Sequence, residues 1–327
     1  MNAPVARQRI TRRALHGVLL LDKPLGLSSN DALQKAKWLL RAEKAGHTGT
    51  LDPLATGLLP LCFGAATKFS QVSLDADKAY EAVLMLGVTT TTGDAEGEVL
   101  ERRDVNVSRA QIDAAVAQFT GLIDQVPPMY SALKFEGRPL YEYARAGITI
   151  ARPSRQITIH SIDILDWQAD VASARLTIAV RCTKGTYIRT LAEDIGRVLG
   201  CGASLAALRR TAAGPLNVTQ AITLDALAAL TEAEREALLR PPDSLLADWP
   251  ALCLPEDEAG RFLTGLRRRV SAPDAPRIRV YGPDQKSLLG SAHITAGELI
   301  ADRLLSPLEV ESLLGATRSS EFLESVV

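Results

Sequence analysis

The apolar positions of the chain fall into short alternating runs bounded by turn residues, interleaved with stretches of helical period. Gly17 to Asp22 is an apolar run of the length of a buried strand. Lys23-Pro24-Leu25-Gly26-Leu27-Ser28-Ser29 is rich in turn formers, and Asn30 caps a predicted helix reaching about Leu40. Between Ala79 and Gly87, Tyr80, Ala82, Leu84 and Leu86 share one face of a strand and Glu81, Val83 and Met85 the other. Ser108 and Gln111 make a capping box for a helix carrying Ile112, Val116 and Phe119 and ending at Gly121. Pro139 opens a short helix, Leu140 to Ala146, closed by Gly147. Ser154 to Asp166 and Ala174 to Cys182 alternate as strands, and a helix from about Thr186 to Gly200 buries Ile188, Leu191, Ala192, Ile195 and Val198.

Leu208-Arg209-Arg210-Thr211 lies in a further strand–turn–helix unit that closes the first domain. The acidic, helix-rich stretch Leu224 to Pro250, with Pro241-Pro242, reads as a boundary. Beyond it, Arg277 to Tyr281, a turn at Gly282-Pro283-Asp284 and Ser287 to Thr295 predict a small β-rich module. Residues 1–16, with Arg7, Arg9, Arg12 and Arg13 and no apolar periodicity, read as a mobile basic tail, and residues after about Ser306 as loosely held. Val126 to Lys134 reads as an exposed loop, stiff and aromatic.

At 327 residues the chain can bury a large core and divides naturally into two domains. Cys62, Cys182, Cys201 and Cys253 are far apart without a C-x-x-C pair, and His16, His47, His160 and His293 are equally scattered, so no metal cluster is legible. Reduced, buried thiols in a cytoplasmic protein are the expectation. No apolar run has the length of a membrane span, and Val18-Leu19-Leu20-Leu21 is too short for a signal peptide.

The net charge of −1 conceals an asymmetry. Residues 1–50 hold nine Lys/Arg against three Asp/Glu, whereas residues 215–260 hold two against nine. Arg261, Arg267, Arg268, Arg269, Arg277 and Arg279 then cluster with only Asp274 among them. Basic patches segregated on a neutral chain suit a polyanionic partner, although solvated charge without function gives the same pattern.

The stretch with the most distinctive chemistry is Gly46-His47-Thr48-Gly49-Thr50-Leu51-Asp52-Pro53-Leu54-Ala55-Thr56-Gly57-Leu58-Leu59-Pro60. One carboxylate, Asp52, stands among glycines, prolines and threonines, and Pro53 holds it out of the helical region. Asp followed by Pro also starts helices, so Asp52 is either a helix cap or a presented nucleophile. The stretch lacks the spacing of a phosphate loop, and the chain has no G-x-G-x-x-G. A second constellation, Lys184-Gly185-Thr186-Tyr187-Ile188-Arg189, sits at a strand-to-helix turn. Arg189 pairs either with Glu193 one turn on or with a carboxylate across a cleft.

Taken in order, Lys23-Pro24 with Gly26 and Ser28-Ser29, Gly46 to Pro60, Lys78-Ala79-Tyr80, Pro127 to Lys134, Gly185 to Arg189 and Leu208 to Thr211 resemble the motifs of TruB-type tRNA pseudouridine synthases over nearly the whole chain. The resemblance implies an α/β (α+β) pseudouridine-synthase fold with a mixed, mainly antiparallel sheet at 17–247. It also implies a thumb-like insertion at about 124–150, a PUA-like domain at 248–310 and a tail at 311–327. It implies isomerisation of uridine 55 in the T loop of tRNA after extrusion of the base, without cofactor or metal. Asp52, Arg189 and Tyr80 match the catalytic positions: nucleophile, its ion-pair partner, and a ring that stacks on the uracil and helps remove the C5 proton. His47, Tyr187, Leu208, Lys23, Gly46, Thr48 and Lys134 match substrate-binding positions, and Arg267-Arg268-Arg269 would contact the acceptor side of the tRNA. The implied partner is tRNA at its T arm and elbow, with no obligate protein partner, for a cytoplasmic monomer. Rival readings are the catalytic subunit of guide-RNA particles and a non-catalytic RNA-binding or tRNA-folding protein.

Overall fold

The computed structural model describes residues 11–170 and 173–324; Arg7 and Arg9 of the expected tail lie outside them. The chain runs β1 (Gly17–Lys23), α1 (Ser29–Leu39), β2 (Ala45–His47), β3 (Ala55–Phe63), α2 (Ser70–Asp75), β4 (Lys78–Leu86), β5 (Val88–Thr90), β6 (Val99–Arg102) and α3 (Arg109–Ala117). It continues through β7 (Gly121–Gln125), β8 (Lys134–Phe135), β9 (Arg138–Pro139), α4 (Leu140–Arg145), β10 (Arg155–Asp170), β11 (Ser173–Cys182), α5 (Ile188–Val198), β12 (Ala203–Ala213), β13 (Leu216–Asn217) and β14 (Ile222–Thr223). Last come α6 (Leu224–Ala229), α7 (Glu232–Ala237), β15 (Ala251–Cys253), α8 (Glu256–Phe262), β16 (Arg268–Arg269), β17 (Ala275–Tyr281), β18 (Leu288–Thr295), β19 (Glu298–Leu304) and α9 (Pro307–Glu324).

One large sheet, ordered β14-β1-β3-β12-β4-β11-β10-β7, organises the molecule. The β1–β14 and β3–β12 pairs are parallel and the others along this path antiparallel, so the sheet is mixed and mainly antiparallel. β3 is apolar on both faces because both are covered: Leu59, Leu61 and Phe63 pack under α1, while Leu58 and Cys62 pack with Phe69, Leu245 and Leu246. Elsewhere the alternation is clean. Ala82, Leu84 and Leu86 of β4 join Leu176, Ile178 and Val180 of β11 and Leu191 and Ile195 of α5 in a single core. A second, five-stranded sheet, β15-β17-β18-β19-β16, has its own core around Phe262, Val280 and Leu299. Its Tyr281 and Leu288 also pack with Val18 and Leu20 of β1, so the two sheets share apolar contacts.

Several local expectations change. Asp52-Pro53 starts no helix: Ala55 N–H closes a turn on the Asp52 carbonyl at 3.0 Å, and the chain goes straight into β3. α1 is capped by Ser28, not Asn30. Ser28 is extended and its hydroxyl accepts from Asp31 N–H, while Asn30 is already inside the first turn and accepts from Gln34. The 126–134 segment is partly enclosed, with Pro127 and Ser131 buried. Cys253 is exposed, unlike the other three thiols. Arg13 is tied by its guanidinium to Glu232 (2.8 Å) and Glu236 (2.6 Å), and Pro307–Glu324 form α9, anchored by Glu309 on Lys68 at 2.6 Å. Among the described residues no helix is long and apolar enough to cross a membrane.

Candidate active site

The loop between β2 and β3 is held at several points before it presents Asp52. The buried Ser29 hydroxyl, in the first turn of α1, accepts from Leu51 N–H at 2.7 Å and donates to the Leu51 carbonyl at 3.0 Å. Gly26 N–H donates to the Pro53 carbonyl at 2.9 Å. Gly57, at φ +96°, lets β3 approach β12 so closely that a Cβ would lie 2.3 Å from the Arg210 carbonyl. The loop is therefore stiff on both sides of a carboxylate that remains 46% exposed.

Arg189, in the first turn of α5, points into the cleft rather than toward Glu193. Its Nη2 meets Asp52 Oδ2 at 2.9 Å and its Nη1 meets Asp94 Oδ2 at 3.4 Å. The same guanidinium donates to the main-chain carbonyls of Thr92 (3.2 Å) and Tyr130 (2.6 Å). Asp94 is a buried carboxylate, held also by Thr92 Oγ1 at 2.6 Å and Glu96 N–H at 3.1 Å. Arg189 thus gathers the Asp52 loop, the β5–β6 turn and the 126–134 segment on one planar cation. Burial pushes the Glu96 carboxyl up, and the negative charges of Asp94 and Asp52 add to this.

The other expected site residues differ in how closely they join this centre. Tyr80, in β4, is a cross-strand neighbour of Arg210 and packs with both cores that flank the sheet; burial raises its pKa. Leu208 sits beside Ala55 on one side and Ala82 on the other, forming a wall. Tyr187 is half-buried immediately before α5, its backbone fixed by the Gln125 amide at 2.7 and 3.1 Å; burial raises its phenol pKa.

Lys23 ends β1 fully buried, its Nζ on the carbonyls of Pro24 (2.9 Å) and Leu27 (2.6 Å), and burial lowers its pKa to about 8 despite the nearby Asp52 charge. His47 and Gly46 lie on β2 opposite Leu61 and Cys62. The His47 Nδ1 is buried without a partner among the described residues, and burial, then the Arg210 charge, lower its pKa.

Two expected substrate contacts stand apart. Thr48 is wholly buried, its hydroxyl accepting from Ser73 at 2.9 Å. Lys134 is exposed on the β8–β9 hairpin, with no ion pair to Asp52 among the described residues. A groove of about 1000 Å³ lined by Lys23, Leu27, Trp38, Arg209 and Leu224 lies beside the centre and does not include Asp52. Sequence reasoning missed Asp94, which looked like a turn residue, and Arg210, whose strand position put one of two adjacent arginines inward.

An acidic side chain on a rigid loop, half open to solvent and paired with a buried arginine, is equipped to act as a nucleophile. Residues 37–188 match the TruB family pseudouridylate synthase (N terminal domain), and residues 189–247 match the tRNA pseudouridylate synthase B C-terminal domain. The chain is 58% identical over 316 residues to the tRNA pseudouridine synthase B of Verminephrobacter eiseniae, covering 96% of each chain. It is 60% identical over 304 residues to that of Cupriavidus pinatubonensis, covering 91% of this chain and 96% of the other. Among solved structures it is similar in fold to a chain of a Cbf5-Nop10-Gar1 complex, with a TM-score of 0.71 at 23% identity over 93% of this chain and 89% of that one. A chain of an archaeal box H/ACA sRNP Nop10-Cbf5 complex gives a TM-score of 0.68 at 22% identity over 91% and 88%. The chain belongs to the TruB family of pseudouridylate synthases, and with it to the enzymes that isomerise uridine in tRNA.

Proposed function

We propose that the protein converts uridine 55 in the T loop of tRNA to pseudouridine, with Asp52 as the nucleophile. The observation that carries the reading is the 2.9 Å pair between buried Arg189 and the half-exposed Asp52, which leaves one charged carboxylate facing the cleft with its counter-charge behind it. The base leaves the T-loop stack, at a cost of a few kcal/mol offset by contacts to the protein. Asp52 then attacks C6 of the base or C1′ of the sugar, or assists formation of a glycal. The covalent intermediate divides one difficult step into two. The N1–C1′ bond breaks, the ring turns and C5 joins C1′; Asp52 is released, C5 loses its proton and N1 gains one, so the product is an isomer of the substrate. Tyr80 stacks on the ring while Leu208 and Tyr187 complete its pocket. Uracil isomerisation is redox-neutral and consumes no phosphate, so the reading requires no cofactor or metal.

His47, Gly46 and Lys23 line the entrance of the base, and Thr48 supports that wall from inside. Lys134, on a thumb-like segment at about 124–150, and Arg267-Arg268-Arg269, in a PUA-like domain at 248–310, meet the RNA backbone of the T arm and elbow. The catalytic domain spans 17–247, and the enzyme works as a monomer in the cytoplasm without an obligate protein partner. The same grip on the elbow would also assist tRNA folding.

The test is to incubate unmodified tRNA transcripts with the wild type and with Asp52→Asn and to map pseudouridine. Product at position 55 with the wild type and none with the variant is expected; equal yields would refute the nucleophile. Salt-dependent tRNA binding retained by the variant would separate a folding role from the chemistry.

A further inference from the structure

Gln125 ends β7 and is 3% exposed, with both ends of its amide engaged by one residue of a distant element. Its Oε1 accepts from the Tyr187 N–H at 2.7 Å, and its Nε2 donates to the Tyr187 carbonyl at 3.1 Å. That orientation of the amide is the one that satisfies both groups, since the N–H needs an acceptor and the carbonyl a donor. Tyr187 stands immediately before α5. It is extended, its own side chain does not cap the helix, and its carbonyl also accepts from Leu191 N–H at 3.1 Å. Gln125 is held in turn by β10, where it lies opposite Arg155.

The amide closes a ring of contacts around Arg189. Two residues separate Tyr187 from Arg189, whose guanidinium meets Asp52 at 2.9 Å and donates to the Tyr130 carbonyl at 2.6 Å. Tyr130 lies five residues beyond Gln125. Gln125 thus ties the root of the 126–134 segment to the root of α5, and Arg189 ties the same two elements again beside Asp52. An apolar side chain of similar volume would fill the position without desolvating an amide. What the amide adds is one fixed arrangement, because both its groups are satisfied only when α5 begins at one place relative to β7.

We propose that Gln125 is a positioning residue for the uridine chemistry, which fixes the start of α5 so that the Arg189 guanidinium meets Asp52. The inference rests on the reading of Asp52 as the nucleophile. Placement matters here because an error of about 1 Å at a reacting group can cost roughly a hundredfold in rate.

The test compares Q125M, which keeps the length of the side chain and removes both bonds, with Q125E, which keeps its shape. Single-turnover rates of pseudouridine formation on an unmodified tRNA transcript are measured over about pH 5 to 9, the range into which burial raises a carboxyl. Affinity for tRNA and unfolding in urea are measured at each pH, so that rates are compared where every variant is folded. Q125M is expected to slow the step by at least about tenfold, for two hydrogen bonds lost, and to leave tRNA affinity within about twofold. In Q125E the protonated carboxyl has one O–H donor and one acceptor oxygen and reproduces both bonds, whereas the ionised form only accepts and faces the Tyr187 carbonyl. The pH dependence of Q125E unfolding locates the titration of that carboxyl. Across the same window its rate, relative to the wild type, is expected to fall to that of Q125M. A merely structural Gln125 would move the unfolding midpoints and leave the rate of the folded enzyme on saturating tRNA unchanged. Q125M turning over like the wild type, a loss confined to tRNA affinity, or a Q125E that keeps the wild-type rate with its carboxyl ionised would overturn the proposal. Should Q125M fail to fold, the ionised form of Q125E decides alone. D52N is assayed beside them: an active D52N defeats the nucleophile reading, whereas an inactive D52N with Q125M at the wild-type rate defeats the Gln125 inference alone.

Discussion

Replacing Arg189 by Met removes one cation from between two carboxylates that differ sharply in exposure, and this difference predicts which second change repairs the fold. Asp94 is 4% exposed at its side chain and Asp52 46%. Breaking a buried ion pair by deleting one partner costs about 3–5 kcal/mol, mostly for the charge left behind. Asp94 keeps Thr92 Oγ1 at 2.6 Å and Glu96 N–H at 3.1 Å, which places the loss at the lower end, about 3 kcal/mol. The carbonyls of Thr92 and Tyr130 lose a donor as well, which adds about 1 kcal/mol. Arg189→Met is therefore expected to unfold in urea with about 4 kcal/mol less stability and an unchanged m-value. Arg189→Met with Asp94→Asn should regain about 2 kcal/mol, since the stranded charge is gone. Arg189→Met with Asp52→Asn should regain under 1 kcal/mol, because a carboxylate half in water is stabilised by solvent. Neither pair should restore pseudouridine formation. Equal recovery from Asp52→Asn and Asp94→Asn, or a loss below 1 kcal/mol for the single variant, would refute the assignment of the stored energy to Asp94.

Three further outcomes follow from the site. Gly57→Ala should be destabilised by about 2–3 kcal/mol, because its Cβ meets the Arg210 carbonyl at 2.3 Å with φ at +96°, while Gly46→Ala, with open space around it, should unfold within about 0.5 kcal/mol of the wild type. Ser29→Ala should lose about 2 kcal/mol and slow turnover without weakening tRNA binding, since the hydroxyl bridges both backbone groups of Leu51 next to Asp52; an unaffected rate would detach the α1 start from the positioning of Asp52. Lys23 has a folded pKa of about 8 against 10.5 in the open chain, so between those values the unfolded chain holds the extra proton. The Lys23 contribution to stability then rises with pH from about 8 to 10.5, and the stability of the wild type relative to Lys23→Met should climb across that window in urea titrations. A flat difference would place the Lys23 charge in a solvated setting, and a falling one would mean that the fold favours the charged form; either refutes the burial reading.

Elements whose apolar period agrees with their burial were legible in the chain. β4, α3 with its Ser108–Gln111 box, α4 behind Pro139, and the β17–β18 hairpin carry both signals locally. Asp52-Pro53 was ambiguous because a helix start and a turn into a strand have the same local preferences. The decision comes from β3 pairing with β1 and β12, which are distant in sequence. Arg189 was undecided for a similar reason: Glu193 lies one turn away, whereas Asp52 is reached only once β3 and α5 are placed by the sheet. Asp94 sits in a stretch of threonines and glycines indistinguishable from a surface turn, and nothing short of the folded β5–β6 unit makes it buried. The family resemblance supplied an expectation that local pattern could not, that Asp52, Tyr80, Tyr187 and Arg189 share one cleft; of these, Asp52 and Arg189 meet at 2.9 Å. It was less informative for Thr48, whose hydroxyl turns to Ser73.

The 2.6 Å bond from Arg189 Nη2 to the carbonyl of Tyr130 has a bearing on how this enzyme should be dissected. Its acceptor belongs to the peptide link and survives every amino-acid replacement at that position. An alanine scan of the 126–134 segment would therefore record the Tyr130 ring and pass over the contact that joins the segment to the Asp52 pair. Semisynthesis with an ester in place of the 130–131 amide weakens that oxygen as an acceptor and leaves all side chains intact; it also removes the Ser131 N–H bond to the Met129 carbonyl at 2.9 Å, which an ester at 131–132 leaves in place as a control. Loop grafts face the same constraint: they must keep the path of the backbone at residue 130.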